Sequence, residues 1–196
     1  PNNQGGRLQA PTSKLSAACA PLAPMNFNHM WLLNQPDVHT LSFGPATPDE
    51  IDANLVAQDY DGTGEQREIF DHVLGQVEKA YRTRLGDDFC TVCNQCLPCP
   101  ENINIPGVLN WRQMHKAFDM TTYAQGRYEK VGSGGAWILG VKGDRCTKCG
   151  DCEPRCPENL DIPQLLWHAH QELETGLVSG PAWDHEGDLL KRDLKS

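Results

Sequence analysis

Eight of the nine cysteines fall into two short runs, and their spacing restricts the possible folds more than any other feature of the chain. The first run is Cys90-x-x-Cys93-x-x-Cys96-x-x-Cys99-Pro100. The second is Cys146-x-x-Cys149-x-x-Cys152-x-x-x-Cys156-Pro157. The segments after the two runs repeat as well. Pro100-Glu101-Asn102-Ile103-Asn104-Ile105-Pro106 matches Pro157-Glu158-Asn159-Leu160-Asp161-Ile162-Pro163, and Leu109 matches Leu166. Two copies of one unit imply a pseudo-two-fold arrangement.

Three thiolates at two-residue gaps can wrap one corner of a small cubic iron–sulfide cluster, with backbone amides turned inward to stabilise the negative sulfurs. The fourth cysteine, followed by proline, lies too far along to close the same cube easily. In the bacterial two-cluster pattern it ligates the other cluster. That pattern groups Cys90, Cys93 and Cys96 with Cys156, and Cys146, Cys149 and Cys152 with Cys99. Two [4Fe-4S] clusters are the expected cofactors, each tying the repeats together. The second run has the full spacing of the pattern. The first is one residue shorter before its last cysteine, which keeps the ligand count and alters the local loop. Zinc would use the same atoms but favours paired C-x2-C motifs, which two triplets plus two single cysteines fit poorly. The tight grouping also sets disulfides behind iron–sulfur.

A net charge of −9 argues against a nucleic-acid partner and against an anionic membrane surface. No apolar run is long enough for a membrane-spanning helix. Residues 1–14 hold no apolar core, so no secretory signal is read and the expected compartment is the reducing cytoplasm. Cys19 has no partner at ligand spacing and reads as an idle thiol.

Along the chain, residues 25–35 read as a helix stopped by Pro36, and Val38 to Phe43 as a strand. Thr47-Pro48-Asp49-Glu50 is a capping box opening a helix to about Gln58. A longer helix starts at Thr63 or Gly64, with Ile69, Val73, Val77, Ala80 and Tyr81 on one face, and ends at Gly86. Helical patterns come next at 106–119 and 121–130, then a glycine-rich loop over 131–143. A further helix runs from Pro163 to Thr175, with Leu165, Leu166, Ala169 and Leu173 on one side. Residues 176–196 read as a polar, extended tail. His29 and His39 read as surface or barrel-rim residues rather than catalytic ones, and His168 and His170 as a solvated helix face. Asp151 and Glu153 flank cluster ligands and read as solubilising.

The long helical connection between Cys99 and Cys146 resembles the helical ferredoxin arrangement of the iron–sulfur subunits of succinate dehydrogenase and heterodisulfide reductase. Phe89-Cys90-Thr91-Val92-Cys93-Asn94-Gln95-Cys96-Leu97-Pro98-Cys99-Pro100 with Ile103-Asn104-Ile105-Pro106, and Arg145-Cys146-Thr147-Lys148-Cys149-Gly150-Asp151-Cys152-Glu153 with Ile162-Pro163, resemble the C-terminal ferredoxin-like extension of certain prokaryotic aldo/keto reductases. The first 60 residues resemble the end of that reductase barrel, with Gly5-Gly6-Arg7-Leu8 after the seventh strand and Val38 to Phe43 as the eighth. The resemblance implies a mainly α chain. Residues 1–62 would be a βα fragment of a TIM barrel, 63–175 a helical ferredoxin-like domain with two clusters, and 176–196 a tail. It implies that Asn54 contacts the adenine of a nicotinamide cofactor, NAD(P)H. Glu50 would repel a 2′-phosphate and so tilts the choice to NADH or to a weak site. The family's catalytic Asp, Tyr, Lys and His match no position here, so no catalytic residue is carried over.

The expected function is an iron–sulfur electron-transfer module of an aldo/keto-reductase-like oxidoreductase. Its partner is a redox protein or the reductase barrel. The rival is an assembly subunit whose clusters only stabilise a docking scaffold. Reversible reduction separates the two.

Overall fold

The structure is a computed structural model that describes residues 2–3, 8, 10–45, 47–133 and 138–175. Among them run helices α1 (Ser13–Cys19), α2 (Pro24–Leu33), α3 (Pro48–Asn54), α4 (Gly64–Leu85), α5 (Ile105–Phe118), α6 (Thr121–Glu129) and α7 (Ile162–Leu173). Strands β1 (Asn2–Asn3) and β2 (Phe43–Gly44) pair in parallel, Asn2 with Phe43 and Asn3 with Gly44. The chain is thus mainly helical. It divides into two compact units, Pro1–Ala80 and Tyr81–Ser196. The sequence places its boundary earlier, ahead of α4.

In the first unit, Thr47 caps α3 by accepting from the Glu50 amide at 3.4 Å, with Pro48 in the first turn. Met30, Ala57, Tyr60 and Phe70 form the core, and Phe27 stacks on Phe70 at 5.5 Å. The Asn34 amide donates to Tyr60 Oη at 2.6 Å and accepts from Arg67 at 2.9 Å. Gly86 ends α4 with a φ of 55°, as its position in the sequence requires.

The structure corrects two expectations. The strand read over Val38 to Phe43 contracts to Phe43–Gly44, because β-branched residues hold a strand only beside a partner, and among the described residues β1 pairs with these two. His29 is not a surface residue: it is 2 % exposed, and burial lowers its pKa. His39 is exposed, as read. Helix α1 had no clear periodicity to announce it. Residues Gly5 to Arg7 and the tail from Gly176 lie outside the described residues.

In the second unit, α5, α6 and α7 pack on one another around a core that includes Ile105, Val108, Leu109, Tyr128, Ile162, Leu165, Leu166, Ala169 and Leu173. The apolar side read for the last helix is therefore the buried one. Asn104 caps α5 through the Gly107 amide at 3.1 Å, and Asp161 caps α7 through the Gln164 amide at 3.0 Å. These are equivalent positions of the two repeats. The end of α4 is held here too. Tyr81 meets Phe118 edge-on at 4.7 Å, and Arg84 donates to the Ala117 carbonyl at 2.6 Å.

A parallel bridge pairs Ile103 with Val141, so the segment after the first cysteine run lies beside the segment leading into the second. Gly143 then passes directly under α7. A Cβ at this position would stand 2.6 Å from the Leu166 carbonyl oxygen, so backbone must shift to admit one. Gly143→Ala is expected to destabilise the protein by about 1–3 kcal/mol. The check is a lower urea midpoint at unchanged slope.

Candidate metal centre

Each cysteine run is anchored just before or at its first cysteine. The Cys90 amide donates to Gln113 on α5. The Gly143 amide, shortly before Cys146, donates to Tyr128 Oη at 3.1 Å, and Tyr128 Oη is in turn 2.9 Å from His170 Nδ1 on α7. Gln113 and His170 hold the same position in the two repeats, so one helix position serves both runs. Arg112, 4 % exposed, adds a second anchor to the first run by pairing with Asp88 at 3.2 Å and Glu172 at 3.0 Å. Lys142 does so for the second, at 2.9 Å from Glu129 and 2.6 Å from Glu174. Burial pushes the Glu129 carboxyl up, but the Thr175 and Lys142 hydrogen bonds outweigh it and hold its pKa at about 2.

The runs themselves share a backbone path. Val92 and Lys148 both take positive φ, 56° and 57°. So do Asn94 and Gly150, at 64° and 83°, and Asn102 and Asn159, at 55° and 52°. These turns fold each run back on itself. They direct the Val92 amide at Cys90 Sγ, 3.4 Å away, which is the inward amide that a thiolate needs. The runs part where the first is one residue short. There the second makes a 3-10 turn, Glu153–Arg155.

The thiols gather in two sets. Cys99, Cys146, Cys149 and Cys152 line one shallow, solvent-open depression, together with Glu101, Arg155 and apolar groups including Ile103 and Leu166. Cys99 comes from the first repeat and the other three from the second. The other set is seen in its electrostatics. Burial raises the Cys90 pKa, the Val92 amide opposes it, and the nearby Cys156, Cys93 and Glu158 push it further up. Burial likewise lifts Cys96 to about 11, with Cys90, Cys93 and Cys156 contributing. Here Cys156 of the second repeat sits with cysteines of the first. Cys152 reaches about 11 through burial, with Cys146, Glu153 and Cys149 adding to it.

These shifts fix a sign. A raised thiol pKa means that the folded apo chain prefers the protonated sulfur. The stability from Cys96 and Cys152, and from the buried Cys19 at about 11, is complete below pH 9 and is lost as pH rises toward 11. Thermal unfolding of the metal-free protein is therefore expected to show a Tm that falls between about pH 8.5 and 11. A flat profile would mean that these thiols are not buried.

The donor set fits a cluster better than a single ion. Four sulfurs on one zinc stand about 4 Å apart, given zinc–sulfur bonds of about 2.3 Å. Among the described residues no group of three or more His, Cys, Asp or Glu converges as one ion requires. A [4Fe-4S] cluster has iron at four alternate corners and sulfide at the others, so each thiolate binds its own iron and the four spread more widely.

The remaining candidates lie apart from these sets. Asn54 is half-buried, with its amide nitrogen donating to the Glu50 carbonyl and its oxygen buried. His168 faces Gln164 at 2.9 Å, while His170, read as solvated, is bound to buried Tyr128. Sequence reasoning passed over Gln113, Tyr128, Arg112 and Arg155. For Gln113 the signal was present, because it occupies the His170 position of the repeat.

Residues 89–160 match the protein family described as the 4Fe-4S dicluster domain. No curated protein and no solved structure matches the chain. A 4Fe-4S dicluster domain is therefore found at residues 89–160, and with the cysteines at 90–99 and 146–156 it supports 4Fe-4S binding. Such a domain suggests an iron–sulfur electron-transfer role. None of the described helices is long and apolar enough to cross a membrane.

Proposed function

We propose that this chain is a one-electron carrier holding two [4Fe-4S] clusters, one on Cys90, Cys93, Cys96 and Cys156, the other on Cys99, Cys146, Cys149 and Cys152. The observation that supports the reading is that Cys99 lines one depression with Cys146, Cys149 and Cys152, while Cys156 lies near enough to Cys90 to raise its pKa, inside a 4Fe-4S dicluster domain. When bound, such clusters supply single-electron redox chemistry. The chain's own residues do the rest. Ile103, Ile105, Leu160 and Ile162 place apolar walls beside the sulfurs and limit water. The Val92 amide offsets negative charge on Cys90. Cys93 and Cys149 are exposed, so they mark where a redox partner protein in the cytoplasm comes nearest.

Anaerobic reconstitution with iron and sulfide counts, followed by EPR after dithionite, tests this. About eight iron and eight sulfide per chain, with two interacting reducible signals, is the expected result. Full loading without a reducible signal would favour the assembly reading. Zinc in place of iron would end both.

A specific observation favours the wider context of an aldo/keto-reductase-like oxidoreductase. β1 and β2 are parallel neighbours joined through α1 and α2, the connection that adjoining strands of an α/β barrel use. In that setting the barrel itself is the partner, and Asn54 contacts NADH once its amide turns outward. NADH quenching or calorimetry on this chain tests the cofactor contact, and no heat or quench at millimolar NADH would remove it.

A further inference from the structure

We infer that Arg155 is a positioning residue that joins the two cysteine loops and places a positive charge at one cluster only. The inference rests on the two-cluster reading above. Between Cys96 and Cys99 stand Leu97-Pro98, and between Cys152 and Cys156 stand Glu153-Pro154-Arg155. With the prolines matched, Arg155 is the residue by which the second run exceeds the first. Its guanidinium reaches back across the gap. Nε donates to the Asp151 carbonyl at 2.7 Å and Nη2 to the Pro98 carbonyl at 3.0 Å. Pro98 precedes Cys99, the thiol that must leave its own run and join the other. A planar guanidinium suits two carbonyl acceptors in a way an ammonium does not. The longer loop thus holds the shorter one where Cys99 is needed.

The charge is as lopsided as the loop. Arg155 lines the same depression as Cys99, Cys146, Cys149 and Cys152. Glu101 stands at that set and its repeat mate Glu158 at the other, so the two carboxylates cancel in any comparison. Lys148 and Asp151 are exposed, while Glu153 acts on Cys152 of this set and offsets part of the guanidinium's charge. Residues 90–98 carry no charged side chain, so the first loop has no counterpart to the guanidinium. A cation beside a cluster favours its more negative, reduced form. Arg155 therefore makes its own cluster easier to reduce than that cluster would be without the guanidinium, and leaves the other cluster unaffected.

The test compares wild type, R155K and R155Q, each reconstituted anaerobically, by redox titration followed by EPR, with iron counted on the same samples. In R155Q the reduced-to-oxidised ratio of one cluster at a fixed potential is expected to fall about tenfold, equal to about 59 mV for one electron, while the other cluster keeps its ratio. R155K, which keeps the charge, should restore most of that ratio. Equal shifts of both clusters, or none, would overturn the inference. If R155Q loads poorly, alkylation followed by mass spectrometry decides. Labelling gained at Cys99, Cys146, Cys149 and Cys152, with Cys90, Cys93, Cys96 and Cys156 still protected, supports it. Labelling gained on both sets overturns it. Wild-type iron content reports separately on the underlying reading, and a wild type without iron overturns both.

Discussion

A Cys156→Ser variant is expected to lose the cluster built on the first cysteine run and keep the one built on the second, and Cys99→Ser is expected to do the reverse. The substitution and the loss sit in different repeats because, in the proposed assignment, each thiol set draws its fourth member across the pseudo-symmetry. Cys156 is close enough to raise the pKa of Cys90, and Cys99 shares its depression with Cys146, Cys149 and Cys152. The expected iron content falls from about eight to about four per chain in either variant. Alkylation shows which cysteines became free. In Cys156→Ser these are Cys90, Cys93 and Cys96. Release of Cys146, Cys149 and Cys152 instead would mean that each run closes its own site, and the exchanged assignment would fail.

Stripping iron from the loaded protein is expected to cost the second unit more stability than any single substitution. Structural thiolate–metal sites contribute on the order of 10 kcal/mol of folding free energy. At about 2–4 °C per kcal/mol for a chain of this length, Tm should fall by at least about 15 °C on chelation. The apo fold does not collapse entirely, because α5, α6 and α7 keep an apolar core with Val108, Ala169 and Leu173 fully buried. Helical signal in far-UV circular dichroism should therefore survive at low temperature. A Tm unchanged by chelation would show that the clusters are passengers in a scaffold that stands without them.

Much of the second unit was legible because its signals were redundant. Cysteine spacing, the prolines at 106 and 163, and the apolar period of α7 all point the same way, and the repeat states the first two twice. The supporting contacts were less legible. Tyr128 lies far from His170 in sequence, and nothing in a helix as weakly periodic as α6 marks Tyr128 as the group that would hold Gly143. His170 looked solvated because an amphipathic period shows which side is apolar, not which polar residue reaches a buried hydroxyl. The first unit was harder. A strand needs a partner, and a stretch such as Val38 to Ser42 shows its own propensity but not the length of the strand beside it. His29 was misread for a related reason: on a helix with mixed apolar spacing, no face is marked as the inner one.

The proposed sharing of thiols between repeats would also set a timetable for the nascent chain. The first run leaves the ribosome with three cysteines of one set and a single cysteine of the other, so neither site is complete when its own loop has been made. The depression with Cys99 is complete only once Cys152 has emerged, and the set with Cys90 only at Cys156. Both sites therefore become fillable almost together, after α5 and α6 have been synthesised but before α7. Until then the early thiols wait in a partly folded chain, open to oxidation and to the wrong metal. In the proposed assignment, cluster loading thus falls on one late stage of synthesis rather than on two successive half-built sites.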